Sequence, residues 1–221
     1  SAASDVYKRQ FLDGHPQAVT PHMDALAQRG CNFTNAHCDV PVCSPSRVSV
    51  MSGISATTHG SYELGPKYEQ LPALTNIPTM QRYFKNNGYY TLSGGKVLHH
   101  GFGGRLSSDI DRSLGRMKNP APPTLLNRPK HWSRAWDWGK YPDTDNKMGD
   151  YQLAKTAAKA LQEDFEQPFF MSIGFFRPHV PLYAPPKWFD LYDEKSLRLP
   201  NNPKSDIEDL PENFLGINNY A

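Results

Sequence analysis

In the stretch PVCSPSRVSVMSG, residues 41 to 53, Cys43 stands four residues before Arg47 in a segment that opens on turn-forming residues and ends on Gly53. Ser44 and Pro45 favour a turn entering a helix, which puts Cys43 at or just before the helix N-terminus. The unsatisfied N–H groups and the dipole at such an end favour a bound anion. Arg47, at i+4, falls on the same helical face one turn along, where its forked donors can hold an anionic group bidentately. A nucleophile, an anion-binding helix end and an arginine clamp therefore meet at one point, a combination suited to the ester of a tetrahedral oxyanion. By itself, a cysteine with an arginine four residues on is common and carries no function. Nor does spacing exclude a disulfide: Cys31 and Cys38 on one strand would stand too far apart to bridge each other, but Cys43 could reach either through a bend.

The elements that must position these residues read as three or four β-to-α units. TPHMDALAQRG predicts an amphipathic helix with Thr20 as N-cap, Pro21 at the first helical position, Met23, Leu26 and Ala27 on one face, and Gly30 past its end. CNFTNAHC alternates as a strand would and leads into the helix that follows Cys43. IPTMQRYFKNNG predicts a further short helix ending near Gly88, and YYTLSGGKVLHHG a strand that breaks at a glycine pair. MGDYQLAKTAAKALQEDF predicts the longest helix, with Tyr151, Ala154, Ala158, Leu161 and Phe165 at helical spacing. PFFMSIGFF is a continuous apolar run, the pattern of a strand covered on both faces. Helices alternating with such strands imply an α/β fold with a helix-covered, largely parallel sheet.

Residues 102 to 147 differ, reading as a long irregular excursion with Trp132, Trp136 and Trp138 close together. Loops of that length in a compact domain are usually functional or disordered. The 221 residues suffice for one domain or for part of a larger one. With 24 Lys and Arg against 22 Asp and Glu, the net charge of +2 is too small to argue for nucleic acid or an anionic membrane surface. No window is apolar for long enough to insert into a membrane. Both ends look cut. Residues 1–10 read as a non-native leader, in which DVYKRQ resembles the translation of a transposon-end sequencing adapter, and the chain stops in a polar, proline-bearing connection. Residues 11–221 are therefore expected to be an internal piece of a longer protein.

Three motifs carry a resemblance. CSPSR, with Gly53 ten residues after Cys43, resembles the sulfatase signature, whose C-x-P-x-R core is read by the enzyme that oxidises the cysteine to formylglycine. GYYTLSGGKVLHHG is similar to the family's second signature, a G-K pair followed closely by a histidine. PFFMSIGFFRPHVPLYAPPKWFDLY resembles the segment of iduronate-2-sulfatase-like members that carries a histidine in a P-H-x-P setting. The motifs lie in family order, and the likeness spans residues 11 to about 200. It implies a fold of the alkaline phosphatase/sulfatase type, N-terminal part only, with the first strand and the C-terminal portion missing from this piece.

The resemblance also implies roles. Cys43 is the formylglycine precursor, its hydrated aldehyde supplying the nucleophile and an oxygen ligand to a divalent metal, calcium. Arg47 holds that hydrate, Lys96 and His99 contact the sulfate and the hydrate, and His179 lies on the leaving-group side. Lys96 and His179 both follow predicted strands, where ligands bind in open α/β sheets. Arg177 is a further candidate for contact with a substrate anion. His100 is read as a loop residue, and His15, His22, His37, His59 and His131 are given no functional role. The implied activity is sulfuric ester hydrolysis on a sulfated sugar or polysaccharide, after maturation by a formylglycine-generating enzyme, in a periplasmic, secreted or lysosome-like setting.

The departures bear on the same expectation. The family's acidic pair at the end of a first strand and its downstream Asp-then-Lys motif are not present in this piece, and calcium asks for six or more oxygen ligands. The piece alone is accordingly expected to be inactive. Three rival readings stand beside the main one. They are a formylglycine-dependent phosphonate or phosphate ester hydrolase, a non-catalytic carbohydrate-binding piece resting on the tryptophans, and a zinc site using Cys31, Cys38, Cys43 and a histidine, which no C-x-x-C pair supports.

Overall fold

In the computed structural model, which describes residues 17–102, 104–128 and 134–198, the described strands are β1 (Tyr90–Gly95), β2 (Arg112–Ser113), β3 (Trp138–Lys140), β4 (Phe169–Gly174) and β5 (Leu182–Ala184). They form two parallel sheets, of order β2-β1-β4 and β3-β5. β1 is the centre of the larger sheet. It pairs with β4 residue for residue from Tyr90↔Phe169 to Gly95↔Gly174, and with β2 at Leu92↔Arg112 and Ser93↔Ser113. Parallel pairing needs a crossover, and the longest helix, Gly149–Ala160, lies in the chain between β1 and β4 and packs on β1.

The helices that matter to the site begin with α1 (Pro21–Arg29) and α2 (Cys43–Ser52), followed by α3 (Ala56–His59) and α4 (Met80–Asn86). α5 (Gly149–Ala160) and α6 (Pro186–Phe189) complete the set. α2 starts at Cys43 and stops where Gly53 takes a left-handed conformation (φ 69°), as the sequence suggests. α4 starts on Thr79, whose side chain accepts from the amide of Arg82. Val48 and Met51 of α2 pack with Val97, Leu98, Leu71, Leu74 and Leu106 in one core cluster, while Leu153, Ala157 and Ala160 of α5 pack on Leu92 and Leu114 in a second. The first cluster locks α2 against the turn that leaves β1. The second fixes β1 itself.

Several expectations change. CNFTNAHC forms no strand: Phe33 is 77% exposed, and none of the described strands pairs with this segment. Alternation makes a strand only where an edge offers its hydrogen bonds. α5 buries Gly149, Leu153, Ala157 and Ala160, not the face through Tyr151, Ala154, Ala158 and Leu161, and Leu161 is its C-cap. Alanines stand both on the predicted face (Ala154, Ala158) and beside it (Ala157, Ala160), so the one large aliphatic in mid-helix, Leu153, decides which side is buried. β4 is the outer strand of the described sheet and only half-buried from Phe170 to Gly174, so it is not covered on both faces by the described residues. α1 forms as expected but buries none of its residues.

Within residues 102 to 147 the chain forms a 3-10 stretch at Gly104–Asp109, then β2 and β3, and further 3-10 turns at Arg134–Trp136 and Asp145–Lys147. Trp136 and Trp138 are exposed, and Trp132 lies outside the described residues, as do His15 and His131. Asp137 is buried and accepts from the amides of Leu126, Asn127 and Arg128 and from the Tyr183 hydroxyl, tying this stretch to β5. Those donors hold its carboxyl far below the usual range against the cost of burial, and the Tyr183 phenol is pushed up to about 12 by burial and by Asp137.

The chain divides into two units, residues 1–191 and 192–221. In the second, the described residues include a 3-10 turn at Glu194–Ser196 capped by Asp193. Among the described residues no helix is long and apolar enough to cross a membrane.

Candidate active site at the N-terminus of helix α2

Cys43 is the first residue of α2 and is half-buried. Its N-cap, Val42, is extended and offers no side-chain cap, so the first amides of the helix are left to whatever lies in front of them. The base of the helix is clamped from the other side. Ser49 donates to the Asp39 carboxylate (2.6 Å) and meets His59 Nε2 at 3.0 Å, and Asp39 also accepts from the amide of Ala56. These bonds hold the Asp39 carboxyl below its ordinary range, Ser49 contributing most. Buried His59 accepts at Nδ1 from the amide of Ser61 (3.1 Å), and burial lowers its pKa.

The turn after β1 brings the other groups in. At its start Gly95 has φ 73°, and a Cβ there would sit 2.1 Å from the carbonyl oxygen of Gly174; a Cβ on Gly174 would sit 2.2 Å from that of Lys96. Only two glycines permit so close an approach, and the Lys96 amide donates to the Gly174 carbonyl (2.6 Å) across it. Arg47 reaches the same turn, its Nη1 donating to the carbonyls of Lys96 and Val97 (3.0 Å for the latter). Cys43, Arg47 and Lys96 thereby share a cleft of about 410 Å³ whose far wall is Ser172, Ile173 and Gly174 of β4.

His99 completes the contact with Cys43, its Nδ1 lying 3.2 Å from Sγ. Its neighbour His100 points elsewhere, with Nε2 2.9 Å from the carbonyl of Leu64. The pKa of His99 is held down at about 4, first by burial and then by the positive charges of Lys96, His100, Arg116 and Arg47, so its ring is neutral at pH 7. Lys96 is buried, and its pKa falls by desolvation and by Arg47 and Arg116, against the pull of Cys43. Desolvation also lowers the pKa of Arg47. These are cations packed in a low-dielectric wall, where each acts more strongly on a bound anion than it would in water.

His179 sits in the loop between β4 and β5, its Nδ1 2.7 Å from the carbonyl of Val180. It does not touch Cys43. The ring of Phe176 neighbours both it and Lys96, 4.9 Å from the His179 ring centroid to centroid and 5.0 Å from Lys96 Nζ to its centroid. Burial lowers the His179 pKa, with Lys96 adding to the effect. Arg177 turns into its own loop: Nη1 donates to the carbonyls of His179 (2.7 Å) and Pro181. Its guanidinium is thus engaged in shaping the loop around His179, and Nε is buried without a hydrogen-bond partner among the described residues.

Two residues that the sequence did not single out hold these parts in place. Asp150, in the first turn of α5, accepts from the amides of Phe176 (2.8 Å) and Arg177 (2.9 Å) and from the side chain of Asn119, fixing the exit of β4 toward His179. Arg116 donates to the carbonyl of His99 (3.3 Å). An acidic residue early in a helix was the one available signal for Asp150; nothing local marks Arg116. Among the described residues no group of three or more His, Cys, Asp or Glu side chains could hold a metal ion. These residues do not fit a calcium site, to which Cys43 would bring one ligand. All three cysteines are free, and Cys31 and Cys38 are exposed.

A family profile described as Sulfatase matches residues 8–220. A protein named "Sulfatase" from Formosa agariphila is 36% identical over 217 residues, covering 90% of this chain and 42% of that one. Human "Iduronate 2-sulfatase" is 29% identical over 203 residues, covering 84% of this chain and 35% of that protein. The chain thus spans less than half the length of these relatives. Among solved structures, the phosphonate monoester hydrolase of Agrobacterium radiobacter superposes with a TM-score of 0.57 at 21% identity, covering 84% of this chain and 41% of that one. That likeness shows the fold: helices on a parallel sheet, of the alkaline phosphatase/sulfatase type.

Proposed function

The chain belongs to the sulfatase family, and from that premise and the geometry at Cys43 we propose that the protein it comes from hydrolyses sulfate esters at this cleft. The carrying observation is the meeting of Cys43, His99, Arg47 and Lys96, drawn from α2 and from the turn after β1, at one uncapped helix end. We further propose that Cys43 is oxidised to formylglycine by a maturation enzyme, and that calcium would be held by one oxygen of the hydrated residue 43 together with ligands from outside the described residues. Hydrated formylglycine would supply a hydroxyl nucleophile together with a second hydroxyl through which sulfate is released.

The chain's own residues then divide the work. Lys96 and the first amides of α2 draw a sulfate into the cleft and offset charge on its equatorial oxygens. Arg47, braced through Nη1 on the Lys96 and Val97 carbonyls, would hold residue 43 with its other donors. Neutral His99, 3.2 Å from the side chain of residue 43, is placed to take a proton there. His179, on the loop that follows β4, stands on the side where the alcohol departs and assists its release.

The relatives' names point to sulfated carbohydrate as substrate, human iduronate 2-sulfatase among them, and a periplasmic, secreted or lysosome-like setting is proposed with it. A phosphate or phosphonate ester is the second reading, because a cationic cleft at a helix end accepts any tetrahedral oxyanion. Parallel turnover of an aryl sulfate, an aryl phosphate and an aryl phosphonate by the full-length protein decides between them. Faster cleavage of either phosphorus ester than of the sulfate would replace this assignment.

A further inference from the structure

Arg116 follows β2, and its side chain is exposed while its Nη2 donates to the carbonyl of His99, the residue whose ring touches Cys43. It joins none of the ion pairs formed by the described residues. Among the described residues, the one carboxylate on the cleft that Arg116 lines is Asp111, engaged by Lys85 (2.6 Å) and by the amide and hydroxyl of Thr91. That cleft, about 280 Å³, is floored by the end of β1 at Gly94 and Gly95 and bounded by Gly101 and Phe102, on the same turn that carries Lys96 and His99. Arg116 is also close enough to depress the pKa of both Lys96 and His99.

A third cation therefore stands on a neighbouring cleft, joined through the turn that carries Lys96 and His99 to the cleft where Arg47 and Lys96 would meet a monoanionic ester. Arg47 and Lys96 suffice for that ester. A third like charge beside them costs free energy in the empty protein, and an exposed guanidinium that is anchored through one Nη, with other donors left over, is built to take a second anion. We propose that Arg116 is a specificity-determining residue that binds a second anionic group, sulfate or carboxylate, on the substrate whose sulfate ester lies at residue 43. This rests on the sulfatase reading above and narrows its substrate class to polyanionic carbohydrates.

The test uses the full-length protein and two chromogenic glycosides, one bearing a single sulfate and the other carrying an additional sulfate or carboxylate on the same ring or the next. Wild-type protein should prefer the doubly charged compound in kcat/KM. Arg116→Ala should reduce that preference by about three- to tenfold, chiefly through KM, as expected for one partly solvated charge contact, and Arg116→Lys should restore part of it. Equal losses on both compounds, or an unchanged preference, would overturn the assignment while leaving sulfate hydrolysis in place. Turnover of neither compound would instead remove the reading on which it rests, and the proposal with it.

Discussion

Cys43 Sγ and His99 Nδ1 lie 3.2 Å apart although 56 residues separate them in the chain. The contact exists because Val48 and Met51 on the inner face of α2 and Val97 and Leu98 on the turn after β1 share one core cluster. Burial of apolar surface thus sets the distance between two polar groups whose encounter would otherwise be improbable.

If Cys43 is the precursor of formylglycine, protein expressed in a host with the maturation system should carry an aldehyde there. Peptide mass spectrometry across residues 41 to 53 would read the mass change. An intact thiol in turnover-competent protein would end this reading.

Lys96→Ala in the full-length protein should lower kcat by about a hundredfold or more, since one preorganised charge contact to a developing oxyanion is worth roughly that much. Arg47→Ala should cost as much activity and also stability, because its Nη1 holds the Lys96 and Val97 carbonyls. Arg47→Lys, with a point charge in place of a fork, should recover little. Melting temperature and single-turnover rate, measured together, check this; a fully active and stable Arg47→Ala protein would contradict both roles.

Asp150→Ala removes the acceptor of the Phe176 and Arg177 amides. Loss of about 1 to 3 kcal/mol is expected, with a drop in turnover that is steeper for poor leaving groups than for activated ones, since the loop it anchors carries His179. Equal effects across a leaving-group series would mean that Asp150 serves the fold and not the position of His179.

Burial holds the His59 pKa below its ordinary value of 6.5. Protonation would also remove the acceptor of the Ser61 amide at Nδ1. The folded state binds this proton more weakly than the unfolded state does. His59 therefore contributes stability in full above about pH 6.5, and that contribution is lost as pH falls through its lower folded value. Urea unfolding between pH 7 and 4 should show the decline, and His59→Gln should flatten it. An identical slope in the variant would place the titration elsewhere.

What could be read from the sequence follows a physical division. α2 was legible because a turn-forming entry and Gly53 mark both its ends, and the α/β class because strands and helices alternate. The face of α5 was not, since alanines on the predicted face and beside it leave the choice to the sheet beneath Leu153. The segment CNFTNAHC carries a strand pattern, but pattern alone supplies no edge to pair with. Arg47 was legible as a cation at i+4, yet its bracing on two carbonyls was not, because that depends on how closely the ends of β1 and β4 approach. Arg177 shows the same limit: its charge suggested an anion contact, whereas its Nη1 is spent on the carbonyls of His179 and Pro181.

The bare backbone contact at Gly95 and Gly174 has a mechanical consequence. With no side chain between them to compress or rotate, the ends of β1 and β4 can move only together, and Lys96, whose amide bonds to Gly174, moves with them. The compliance of this wall is that of the sheet, so it cannot reshape itself around alternative ligands. Adaptation during evolution or redesign would fall on side chains at its margin, while any residue larger than glycine at position 95 or 174 would pry the strand ends apart and carry the cation away from residue 43.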